Sequence, residues 1–171
     1  MIEIERKFRW TPEAEAALLV GAEFLKERTF TDEYFDTAKF DLSTKDIWMR
    51  KRDDVWELKI PVHDLARKNV MSTQYEERDT EEGIREFLQL PATGTFGQDL
   101  EDAGYVSCGL ITTHRRSYRK DGFVIVFDDV TAEGGYVYRL LEIELMTDGV
   151  SAEAEEAINQ FGRAHGLDGS Y

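Results

Sequence analysis

Ile2-Glu3-Ile4-Glu5-Arg6-Lys7-Phe8 decides how the rest of this chain is read. In a β-strand every second side chain points to the same face. Glu3, Glu5 and Lys7 therefore line one side of this strand, and Ile4 and Phe8 line the other. A strand with charge on one face and apolar groups on the opposite one belongs to a sheet with a wet side. The device recurs near the far end, where Glu142 and Glu144 alternate in Leu141-Glu142-Ile143-Glu144-Leu145. Two Glu-x-Glu strands bracketing a basic middle segment suggest a metal-assisted phosphate site.

The chain has 171 residues, a length that suits one domain, 1–171, with a real core. Apolar residues make up 42% and charged residues 33%, a globular rather than disordered composition. A formal charge of −14 argues against general binding to nucleic acid or to an anionic membrane. Against that acidic background the basic clusters Arg50-Lys51-Arg52 and Arg115-Arg116 stand out. The lone cysteine, Cys108, excludes an internal disulfide framework and reads as a small semi-buried residue with no base paired to it in sequence. No apolar run reaches the roughly 18 residues a membrane span needs. Glu3, Glu5, Arg6 and Lys7 interrupt any signal-peptide core. The expectation is a soluble cytoplasmic monomer with a small-molecule partner.

Local signals predict mostly antiparallel strands with short helices. A strand from Ile2 to Trp10 precedes a helix start at Thr11-Pro12-Glu13, with Thr as N-cap and Pro at the first helical position. Strands follow over Thr29–Asp36, Ile47–Arg52 and Val55–Ile60, the last two joined by an Asp53-Asp54 turn. Pro61–Met71 reads as an irregular loop, Ser72–Asp79 as a strand, and Thr80 as the cap of a helix running to Pro91. A weaker helix covers Phe96–Ala103. Val106–Arg119 and Phe123–Val130 flank a turn at Lys120-Asp121-Gly122, where Asp-Gly is a strong hairpin signal. Val137–Met146 is the last strand, and Ser151 caps a final helix ended by Gly162 or Gly166. About eight meandering strands are best relieved of their edges by closing into a barrel. If its interior is charged, that barrel is a ligand tunnel rather than a core.

The acidic candidates are Glu3, Glu5, Asp128, Glu142 and Glu144, with Glu77 and Asp36 as additions. Carboxylates on neighbouring strands raise one another's pKa, a penalty that a hard divalent cation removes. The alternative is a solvated strand face whose acids pair with Lys and Arg. The basic candidates are Lys7, Arg50, Arg52, Lys59 and Arg116; arginine forks grip phosphate bidentately and lysine acts as a mobile point charge. Five such cations with Mg²⁺ suit a triphosphate, while Lys51, Arg67 and Lys68 read as surface charge. Trp48 shares parity with Arg50 and Arg52, so its indole either stacks on a heterocycle or organic cation or packs at a rim. Tyr34 either hydrogen-bonds a phosphate or packs with its hydroxyl at the surface, and near Lys7 its pKa would fall. His63, His114 and His165 show neither zinc spacing nor a triad pattern and read as structural or surface residues.

These residues resemble the CYTH (triphosphate tunnel metalloenzyme) superfamily, whose hallmark is matched by Glu3-x-Glu5-x-Lys7. The similarity covers nearly the whole chain and is greatest to the animal thiamine triphosphatase group. It is carried by Ile2–Phe8, Tyr34-Phe35-Asp36-Thr37, Trp48–Asp53, Trp56-Glu57-Leu58-Lys59 and Asp128–Tyr136, in that order and spacing. The resemblance implies an α+β, mainly antiparallel chain forming an eight-stranded closed β-barrel around a tunnel, with short flanking helices. It also implies Mg²⁺-dependent triphosphate hydrolysis, with Mn²⁺ as the alternative metal. Lys7, Arg50, Arg52, Lys59 and Arg116 would grip phosphates. Glu3, Glu5, Glu77, Asp128, Glu142 and Glu144 would organise metal, and Trp48 would stack on the thiazolium of thiamine triphosphate. Lys7, Tyr34, Glu5 and Lys59 would be the catalytic set. An inorganic tripolyphosphatase uses the same machinery. An adenylyl cyclase lacks any adenine-reading feature here, and a non-catalytic phosphate sensor would not need so many acids. The family usually carries a phosphate-touching lysine on a C-terminal helix, whereas this sequence has no lysine after Lys120.

Overall fold

The computed structural model describes residues 2–62, 73–149 and 151–167. The expected loop Pro61–Met71 lies mostly outside the described residues, as do His63, Arg67 and Lys68. Among the described residues, eight strands close into one antiparallel barrel. They are β1 (Ile2–Phe8), β2 (Glu23–Thr37), β3 (Trp48–Arg52), β4 (Val55–Pro61), β5 (Thr73–Arg78), β6 (Tyr105–Lys120), β7 (Phe123–Ala132) and β8 (Val137–Thr147). The order around the barrel is β1-β5-β4-β3-β2-β6-β7-β8, with β8 returning to β1.

Two tight turns fix the registers that matter. Asp53 and Asp54 have φ of 45° and 74°, and Asp121 and Gly122 have φ of 51° and 88°. Two left-handed residues in succession are the primed turn whose twist suits a two-residue hairpin. The first turn places Arg50 opposite Glu57 and Trp48 opposite Lys59. The second places Arg115 opposite Asp128.

Among the described residues four α-helices cover the outside of the barrel: α1 (Pro12–Leu19), α2 (Glu81–Leu88), α3 (Phe96–Asp102) and α4 (Ala152–Ala164). Each begins on a hydroxyl cap, Thr11, Thr80, Thr95 or Ser151, that accepts a backbone N–H of the first turn. The apolar core therefore lies between barrel and helices. One cluster joins Ile4, Phe8, Phe127, Leu141 and Ile143 of the wall to Leu18 of α1 and Ile158 and Phe161 of α4. The other joins Met49 and Leu58 to Ile84, Phe96 and Leu100. Each of these buried side chains contributes on the order of 1.5–3 kcal/mol. No helix among the described residues is long and apolar enough to cross a membrane.

One expectation shifts by several residues, and one open alternative is decided in favour of Gly166. β2 begins at Glu23 rather than Thr29, because its polar first half pairs with β6 outside any apolar pattern. Helix α4 does not end at Gly162; it continues to Ala164, and Gly166 with φ of 72° follows it. Gly162 faces Phe8 instead: a Cβ there would lie 2.8 Å from the ring. Phe8 is itself wholly buried and unable to yield. Gly162→Ala is expected to destabilise the fold by about 1–3 kcal/mol through overpacking. Gly97→Ala, where the added methyl meets nothing within 4 Å, is expected to cost nothing. Urea unfolding of both variants checks this, and equal midpoints would contradict the packing account.

Candidate active site

The inward parity of the strands creates a cavity of about 700 Å³ along the barrel. Its described lining contains nine carboxylates and five cations. The acids concentrate where β1 meets its two neighbours. Glu5 stands opposite Glu144 and Lys7 opposite Glu142 across β8, while Glu3 stands opposite Tyr75 across β5. Lys59 on β4 reaches into this group. Its Nζ donates to Glu3, lies 3.0 Å from Glu5 and pairs with Glu77 at 3.2 Å. Lys7 donates to Glu5 at 2.7 Å and pairs with Glu142 at 3.4 Å.

The charge state of this group follows from who has a partner. Burial alone would raise the Glu5 carboxyl, but Lys59 and Lys7 outweigh it and hold Glu5 well below the usual carboxylate range. Burial lowers the affinity of Lys59 and Lys7 for their protons, yet the surrounding acids keep both ammonium groups charged. Glu144 is on the losing side. Burial and the Glu3 and Glu142 charges push it up to about 8, and Arg115 at 3.8 Å only partly compensates. Burial also raises Glu3 despite Lys59.

The opposite wall carries arginines. Arg52 grips Asp32 with two bonds of 2.7 and 2.8 Å, and Arg50 pairs with Glu57 at 2.6 Å and with Asp32 at 3.8 Å. Arg115 binds Asp128 through two bonds of 2.8 and 2.6 Å and touches Glu142 at 3.3 Å. Where β2 ends and β3 begins, the lining turns aromatic. Trp48 is 40% exposed and meets Tyr34 edge-on at 6.3 Å.

Of the residues singled out in the sequence, Glu3, Glu5, Lys7, Tyr34, Trp48, Arg50, Arg52, Lys59, Glu77, Asp128, Glu142 and Glu144 all line this one cavity. Arg116 does not, and that expectation is corrected. Its parity on β6 turns it outward, where it donates to Glu15 of α1 at 2.7 Å and lies over the outer face of Phe127. Its neighbour Arg115 takes the inner position. Tyr34 stands opposite Arg50, while Tyr75 is the tyrosine coupled to Lys7. Asp36 faces the cavity but spends its oxygens on the backbone N–H groups of Thr37, Leu42 and Ser43. These bonds lower its pKa against the effect of burial. Cys108 is exposed rather than semi-buried. His114 pairs with Glu27 and His165 with the Phe161 carbonyl, as structural or surface residues would. Helix α4 contributes no described residue to the cavity; it packs on the outer wall, where Arg6 donates to Asn159. Sequence reasoning missed Asp32, Glu57, Tyr75 and Arg115. Two of these were within reach, since the two-residue turns place Glu57 opposite Arg50 and Arg115 opposite Asp128.

Among the described residues no three His, Cys, Asp or Glu side chains already converge as a closed metal cage. The acids are instead held by Lys7, Lys59 and Arg115. The donor chemistry nevertheless fits a hard divalent cation. Glu3, Glu5, Glu142 and Glu144 line one cavity whose described wall carries more acid than base, and Mg²⁺ is ordinarily held by one or two carboxylates plus substrate phosphates.

Comparison with known proteins bears on the family and the fold. Thiamine-triphosphatases of Macaca fascicularis and of Homo sapiens are each 44% identical over 63 residues, 36% of this chain and 27% of theirs. The matched segment thus spans about a quarter of those relatives' length. A conserved hypothetical protein of Pyrococcus furiosus superposes with a TM-score of 0.65 at 18% identity, covering 97% of this chain and 91% of its own. A Hippeastrum protein named as a candidate adenylyl cyclase, and described as having a dominant triphosphatase activity, superposes with a TM-score of 0.60 at 18% identity. It covers 99% of this chain and 90% of its own. At such identities both structures speak for the fold alone. The CYTH domain model matches residues 1–170, and with the closed barrel and its charged bore this places the chain in the CYTH domain family.

Proposed function

We propose that this protein hydrolyses the terminal phosphate of a triphosphate, with thiamine triphosphate as substrate and thiamine diphosphate and phosphate as products. The observation that carries the reading is the composition of the bore: five cations suited to phosphate oxygens beside an excess of carboxylates. A triphosphate entering alone would meet more negative charge than positive. Entering with divalent cations, it matches both halves of the lining. The partial identity to thiamine-triphosphatases and the half-exposed indole of Trp48 support a cationic heterocycle as the organic end.

Glu3, Glu5, Glu142 and Glu144 would hold Mg²⁺, with Glu77 at the edge of the group and Asp128, now paired with Arg115, free to join them once Arg115 turns to phosphate. Bound there, the metal would neutralise phosphate charge and polarise the phosphoryl oxygens. Arg50, Arg52 and Arg115 would turn from their acid partners to the phosphate chain and hold it for in-line attack. Lys7 and Lys59 would stabilise the charge that develops on the transferred group, and Tyr34 would donate a hydrogen bond to it. Such positioning and charge stabilisation make up most of what phosphoryl transfer asks of a protein.

Arg115 and Arg116 separate this proposal from a general charge effect. Arg115→Lys keeps the charge that balances Asp128 but loses the planar fork. It is expected to lower kcat/KM for phosphate release by about 10–100-fold, the loss of roughly 1.4–2.7 kcal/mol. Arg116→Ala on the outer wall is expected to stay within about threefold of the parent. The reverse order would overturn the assignment of the bore as the reaction site.

The raised Glu144 pKa has a measurable consequence for stability. Between the usual 4.5 and about 8 the folded protein keeps a proton on Glu144 that the unfolded chain has released. Stability from this group therefore falls as pH rises through that window. In EDTA, Glu144→Gln is expected to raise the melting temperature more at pH 8.5 than at pH 5.5, by about 2–4 °C for each kcal/mol relieved. Mg²⁺ should shrink the difference. A gain equal at both pH values would contradict the electrostatic account.

A further inference from the structure

Asp46 lies outside the acid and arginine groups described above, yet it touches both ends of the site. It follows a short 3-10 turn, Ser43–Lys45, and adopts a left-handed backbone with φ of 59°. Asp and Asn tolerate that conformation better than other side-chain-bearing residues. The loop that delivers it is anchored by Asp36, which accepts the Leu42 and Ser43 N–H groups, and by the Asp46 N–H bond to the Ser43 carbonyl. One oxygen of Asp46, Oδ1, accepts two hydrogen bonds: Trp48 Nε1 donates at 2.9 Å and the Tyr75 hydroxyl at 3.0 Å.

Both donors lead somewhere. Trp48 presents its indole to the cavity. Tyr75 is 5% exposed, and the Lys59 ammonium sits 5.3 Å from its ring centre. Lys59 in turn holds Glu3, Glu5 and Glu77. A single carboxylate oxygen thus joins the aromatic end of the bore to its acid cluster. An indole as exposed as Trp48 would otherwise sample several rotamers, and fixing it beforehand removes that ordering cost from binding.

We propose that Asp46 is the positioning residue for substrate selectivity, setting the angle at which Trp48 meets the organic end of the triphosphate and tying that indole to the phosphate machinery through Tyr75. This rests on the reading of Trp48 given under the proposed function. The role belongs to the acceptor oxygen rather than to the charge. Asparagine supplies an equivalent oxygen with two lone pairs and also accepts the left-handed backbone.

The test measures kcat and KM for thiamine triphosphate and for tripolyphosphate in the parent, Asp46→Ala, Asp46→Asn and Trp48→Ala. Asp46→Ala is expected to raise KM for thiamine triphosphate about 5–10-fold more than KM for tripolyphosphate, the scale of one lost hydrogen bond. Asp46→Asn should recover to within about twofold, a gap worth under 0.5 kcal/mol. Without substrate, the Trp48 indole N–H resonance in ¹⁵N spectra should move in the alanine variant and stay near its parent position in the asparagine variant. The inference is overturned if Trp48→Ala separates the two substrates but Asp46→Ala does not, or if asparagine is as damaging as alanine. Equal losses on both substrates in Trp48→Ala would instead be a failure of the thiamine reading, and would take this inference with it.

Discussion

Gathering nine carboxylates and five cations on the described inner wall of one barrel costs desolvation that ion pairs alone do not repay. The structure meets that cost from outside. Ile4, Phe8, Leu141 and Ile143 alternate with Glu3, Glu5, Lys7, Glu142 and Glu144 on the same two strands and pack against α1 and α4. On β3 and β4, Met49 alternates with Trp48 and Arg50, and Leu58 with Glu57 and Lys59, and both pack against α2 and α3. Strict alternation lets one strand stabilise the fold with one face and carry reactive charge with the other. A polar interior is sustainable here because the hydrophobic core surrounds the barrel instead of filling it.

Within the bore, charge is distributed unevenly, and that unevenness has chemical content. Glu5 lies between two ammonium groups and stays ionised, whereas Glu144 faces like charges and is pushed up to about 8. The arginines are occupied by Asp32, Glu57 and Asp128. Among the described residues each of the five bore cations is paired with an acid, so a polyanion gains little by displacing acids unless those acids acquire another cation. On the proposed function, substrate and metal would therefore depend on each other.

How far the sequence revealed this depended on how different the two faces of each strand are. In β1 and β8 one parity is acidic and the other aliphatic, so inward and outward residues could be told apart at sight. In β6 both parities are mixed. Arg115 and Arg116 are the same residue type, and composition cannot say which of them enters the bore. Only the length of the Asp121-Gly122 turn decides it, by setting Arg115 beside Asp128. The first half of β2 has no apolar face, and it becomes a strand through pairing with β6, as when Glu27 meets His114. Asp32 and Glu57 drew no notice because an arginine's partner is fixed by register and not by spacing along the chain. Asp46 was invisible for a related reason: its neighbour Tyr75 is remote in sequence and comes close only once the barrel closes.

The proposed dependence of substrate on metal is also the most directly testable. Phosphate release from thiamine triphosphate, tripolyphosphate and ATP should be measured side by side in Mg²⁺ and in EDTA. The account predicts turnover only with the divalent cation, fastest for thiamine triphosphate. Undiminished hydrolysis in EDTA, or no hydrolysis of any of the three with Mg²⁺ present, would contradict it.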